Sequence, residues 1–176
     1  NKLDKDQPPL TAGANYTMET WSIAEVERPL ILSIGIIEGR LGVDVGLVEL
    51  PAPQPTRHTP ATGALLRSLE VAAASAGSFH AYQIGMAQRV ALYLERVDLY
   101  GASVEEQDLD EAAEVLGQRP ASPVEAERAL EALVLRAGPE RDAELVRFLT
   151  RRCLRQELLL APAMRELEHS TVQILR

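Results

Sequence analysis

A chain of 176 residues suits one domain with an attached arm, and at 46% apolar it carries enough to bury a core and too much to stay unfolded. Aromatic residues make up only 4%, which removes the stacking platforms of single-strand nucleic-acid binders, and the net charge of −8 argues against general attraction to phosphate backbones or anionic membranes. The single cysteine, Cys153, excludes an intrachain disulfide framework and a cysteine-rich zinc site.

Residues 1–20 are polar with a Pro pair, and read as a loose arm. The chain begins at Asn1 rather than Met, which fits a trimmed or processed N-terminus; no signal peptide is visible, though one could have been removed. In "LGVDVGLVEL", Leu41, Val43, Val45 and Leu47 alternate with Gly42, Asp44 and Gly46, the period of a half-buried strand. The Ile-rich "LILSIGII" precedes it, and Glu38-Gly39-Arg40 can turn between them. A short β-hairpin over about residues 29–50 is the first reading. Its rival is a helix, since Gly35, Gly39, Gly42 and Gly46 recur at three- and four-residue steps, but each Gly costs a helix roughly 1 kcal/mol. Glu38, Arg40, Asp44 and Glu49 exclude a membrane span here.

"PAPQPTRHTP", residues 51–60, carries four prolines and reads as a linker and hinge. It divides the chain into residues 1–58 (arm, hairpin and Pro-rich linker) and a helical bundle domain over 59–176. Thr59-Pro60 reads as N-cap and first helical position. Gly77-Ser78 breaks or kinks the first helix, and Phe79, Tyr82, Met86, Val90, Tyr93, Leu94 and Val97 continue at helical spacing. Gly101 is expected as a left-handed stop, and Ser103 with Glu106 as the capping box of a helix ending at Gly117. Ser122-Pro123-Val124-Glu125 repeats the box, Gly138 closes that helix, Pro139 starts the next, and Pro162 bends or restarts the last segment. The expectation is a mainly α bundle of five or six helices.

Few residues suggest chemistry. Glu166-x-x-His169 has the spacing of a di-iron ligand pair, but neither His58 nor His80 has a Glu three residues earlier, so no metal is expected. Cys153 is flanked by Arg151, Arg152 and Arg155, yet shares an apolar face with Phe148, Leu149 and Leu160 and reads as a small core residue. The nucleophile elbow and the phosphate-binding glycine motifs are missing. His80 sits among Ala73, Ala76 and Gly77 with no carboxylate within a turn, and reads as structural, packed where small residues let helices approach. The expectation is against an enzyme, with no catalytic residue and no cofactor.

Charge is segregated instead. Residues 95–144 hold fourteen acids against five arginines, whereas 145–176 hold six arginines against three glutamates, so the two regions can attract each other within a chain or between chains. Glu105, Glu106, Asp108 and Asp110 form an acidic face, and Arg147, Arg151, Arg152 and Arg155 a basic stripe. These eight are the candidate partner-binding residues. The preferred function is a non-enzymatic interaction protein, an oligomeric accessory or assembly factor (a homodimer or higher) engaging a protein partner. The alternatives are a DNA-associated regulator using the arginine helix, and a small-molecule-binding bundle or enzyme with a pocket near His80, Tyr82 and Met86. Arginine in place of lysine suggests GC-rich, bacterial coding, and a cytoplasmic location is the default.

Overall fold

The structure is a computed structural model and describes Gly39 and residues 42–164. It is mainly helical: α1 (Thr59–Ser75), α2 (Ser78–Leu116), α3 (Pro123–Val134), a single 3-10 turn (Pro139–Arg141) and α4 (Asp142–Met164). Among the described residues there are thus four α-helices rather than five or six, and the signals at Gly101 and Pro162 account for the difference. Gly101 and Ser103 do not separate two helices, because α2 runs through them for 39 residues, about 58 Å. An interior Gly costs roughly 1 kcal/mol. That cost is outweighed by the apolar residues just beyond it, Val104, Leu109, Ala112 and Val115, all buried along one side of a continuous helix.

The signals at Gly117 and Ser122 act as expected. Gly117 ends α2 in the left-handed conformation (φ 77°), donating its N–H to the Ala113 carbonyl at 2.8 Å. Ser122 caps α3 by accepting from the Glu125 N–H at 3.2 Å, and the Glu125 carboxylate accepts from the Ala121 N–H at 2.9 Å. The α3 helix stops at Val134, short of Gly138, because the Arg136 and Ala137 N–H groups both turn back to the Leu133 carbonyl. Gly138 instead precedes the Pro139 turn that leads into α4. Pro162 does not restart a helix among the described residues; α4 continues past it to Met164.

Helices α1 and α2 form an antiparallel hairpin around Ala76-Gly77, with the start of α1 beside residue 98 of α2. The second half of α2 packs with α3 and α4 around Ala112, Val115, Leu130, Leu133, Leu145 and Phe148. The molecule is therefore a three-helix core from which a two-helix hairpin projects. No residue of α1 is buried.

Residues 43–50 are not a strand. Gly42 and Gly46 are left-handed (φ 63° and 73°), which ends the pleat, and Leu47 is 80% exposed. The rest of the expected hairpin, the arm at 1–20 and residues 165–176 lie outside the described residues. What survives of the alternation is that Val43 and Val45 are buried. Side chains, in place of a partner strand, satisfy this backbone: Arg147 Nε donates to the Asp44 carbonyl at 3.0 Å and Arg151 Nη1 to the Val45 carbonyl at 3.2 Å. The proline linker lies against α2. Asp98 accepts from the Thr56 and Thr59 hydroxyls at 2.5 and 2.6 Å, and the Gln54 N–H donates to the Leu99 carbonyl at 2.8 Å. Thr59 therefore spends its hydroxyl on Asp98 rather than capping its own helix, whose N-cap is His58.

Candidate functional site

The segregated charges meet inside the chain. On α2, Asp108 and Glu111 are three residues apart and share a face. On α4, Arg151 and Arg155 are four apart and do likewise. Packing α4 on α2 brings the two faces together. Arg155, only 1% exposed, donates from Nε to Asp108 Oδ1 at 2.6 Å and from Nη1 and Nη2 to the two oxygens of Glu111 at 2.9 and 2.8 Å. Arg151 donates from Nε and Nη2 to Glu111 Oε1 at 3.0 and 2.9 Å. Arg152 extends the network outwards, its Nε 3.7 Å from Asp108 and its Nη2 bonded to Glu127 of α3.

Burial and charge act differently on the two carboxylates. Burial pushes the Asp108 carboxyl up, and the guanidinium of Arg155 does not fully offset it. Burial also pushes Glu111 up, but four N–H donors from Arg155 and Arg151 overcome it and hold Glu111 below its ordinary value. The guanidinium of Arg155 is raised in turn: desolvation opposes its charge, and Glu111 and Asp108 outweigh that opposition.

The candidate partner-binding residues thus divide. Arg147, Arg151, Arg152 and Arg155 are engaged within the chain, and a phosphate approaching α4 would meet cations already paired, with Arg155 out of reach. Glu106 and Asp110 bind Arg119 at 2.5 and 2.8 Å on the outer side of α2. Glu105 and Asp108 line a cavity of about 440 Å³ between α2, α3 and α4, together with Leu109, Ala126, Leu130, Arg152 and Leu159. This volume lies within the range of small-ligand and anchor-residue pockets, and its walls are mainly apolar.

His80, Tyr82 and Met86 do not line that cavity; they lie at the projecting end of the α1–α2 hairpin. His80 is exposed in the first turn of α2, its ring edge-on to Phe79 with centroids 5.9 Å apart. It is not packed among Ala73, Ala76 and Gly77 because the helix breaks between them and it. Cys153 is half-buried on α4. Among the described residues no three His, Cys, Asp or Glu side chains gather to hold a metal ion, and no helix is long and apolar enough to cross a membrane. The Glu166–His169 pair lies outside the described residues.

Glu111 and Glu127 complete this network and were not among the candidate partner-binding residues. The signal was present for Glu111, whose three-residue offset from Asp108 matches the four-residue step between Arg151 and Arg155. No protein-family model matches the chain, and no curated protein or solved structure is significantly similar to it.

Proposed function

We propose that the chain is a non-enzymatic helical interaction protein, an accessory or assembly factor that works by holding a protein partner. The observation that carries this reading is the half-open cavity between α2, α3 and α4. It offers an apolar lining for an anchoring side chain and exposed Glu105 at its edge, on the acid-rich stretch of the chain. A partner presenting an apolar anchor beside basic residues fits both features. Asp108 and Arg152, which line the cavity, are tied into the network with Arg155 and Glu127, which suits a rigid docking surface better than proton transfer to a substrate.

Ala102 lines the cavity and is exposed, so Ala102→Trp fills it without disturbing the core. A partner identified by cross-linking to the full chain should lose affinity for this variant by roughly tenfold or more. Unchanged affinity, or turnover of a small molecule that Ala102→Trp blocks, would sink the proposal.

A further inference from the structure

The first half of α2 carries Phe79, Tyr82, Met86, Val90, Tyr93 and Val97 at steps of three and four residues, so the six share one face of the helix. None of them is buried, although α1 packs alongside. Phe79 and Tyr82 are 68% and 65% exposed, and Val71 of α1, near the same end, is 72% exposed. The stripe runs without interruption into the cavity, which Tyr93 and Val97 help to line. A two-helix hairpin cannot bury two apolar faces by itself, because helices hold their shape in water chiefly through tertiary packing.

Charge identifies what covers the stripe. A chain of net charge −8 repels a second copy over most of its surface, yet residues 68–88 contain one formal charge, Glu70, where a quarter of the whole chain is charged. With so little basic flanking charge, the stripe also lacks the pattern of a membrane-surface helix. We infer that the α2 stripes of two copies of this chain pack antiparallel about a two-fold axis near Met86, so that two α1–α2 hairpins form a four-helix bundle with a three-helix core at each end. This rests on the reading of the chain as an interaction protein and specifies its self-association. The register sets Phe79 of one copy against Tyr93 of the other and Arg89 against Gln83, with no like charges opposed. Residues 79–97 span about 28 Å, enough with the flanking α1 helices for an interface of the order of 800 Å² per partner.

Sedimentation velocity of the full chain over a wide concentration range tests the inference. The expected result is a reversible dimer, which Phe79→Glu and Tyr82→Glu each weaken by roughly tenfold or more with far-UV dichroism unchanged. In a Cys153→Ala background, Met86→Cys should oxidise to a covalent dimer, and Glu114→Cys, on the far half of α2, should not. A monomer at every concentration overturns the inference, and so does binding to uncharged lipid vesicles in place of dimerisation. A dimer unaffected by both Glu substitutions and not trapped by Met86→Cys places the contact elsewhere and also overturns it. Loss of the dimer with partner capture intact, still blocked by Ala102→Trp, removes this inference alone; loss of partner capture from an intact dimer removes the proposed function alone.

Discussion

Arg155 and Glu111 face each other across the seam between α4 and α2 in a two-pronged pair, at 2.9 and 2.8 Å, with the arginine side chain 2% exposed. A charge buried to this degree stabilises the fold only while its partners stay in place, because the desolvation cost is fixed and the compensation is local. Arg155→Ala leaves Asp108 and Glu111 facing each other without their shared cation and should cost about 3–5 kcal/mol in urea unfolding. A loss below about 1 kcal/mol would mean that the network is not what holds α4 on α2.

The same network predicts an acid limb with a definite sign. Glu111 is held below its ordinary value in the folded state, so its contribution is present at neutral pH and is lost as pH falls through and below the ordinary glutamate range. Asp108 is raised, so its ionisation weakens the folded state as pH rises, and it softens the acid limb. Comparing urea midpoints from neutral pH down to about 3, Glu111→Gln should flatten the acid limb and cost stability at neutral pH. Asp108→Asn should cost less at neutral pH and steepen the limb. The reverse ranking would contradict the assignment.

Gly101 separates two architectures cleanly. In the middle of a helix, Ala in its place gains up to about 1 kcal/mol from propensity, against a close contact with Val97 Cγ1, 3.3 Å from the added Cβ, which half-exposed Val97 relieves by a shift of a few tenths of an ångström. At a left-handed helix end, Ala would destabilise instead. A raised unfolding midpoint for Gly101→Ala is therefore expected, while Gly117→Ala, at φ 77°, should lower it by about 1 kcal/mol.

Asp98 ties the proline linker to α2 through Thr56 and Thr59, whose hydroxyl hydrogen bonds hold its carboxyl below the usual carboxylate range. Asp98→Ala should speed limited proteolysis and amide exchange across residues 52–62 and leave the core midpoint nearly unchanged. A linker equally protected in the variant would show that its prolines and the Gln54–Leu99 hydrogen bond suffice.

The sequence by itself determined the helical class and the local stops. Pro60, Gly77, Gly117, Ser122-Glu125 and Pro139 act within a turn of themselves, through missing donors, left-handed backbone or a side-chain cap, and neighbours are not needed to read them. It also carried the attraction between an acidic middle and a basic end, though not whether that attraction acts inside one chain. Tertiary structure decided the remainder. It carried α2 through Gly101, because burying Val104 to Val115 against α4 outweighs one glycine. It turned an alternating apolar segment into an irregular strap whose Asp44 and Val45 carbonyls accept from Arg147 and Arg151 of α4. And it drew Arg155 inward onto Asp108 and Glu111, 47 and 44 residues away in sequence, pairings that no local pattern can encode, since only packing sets which faces of two helices meet.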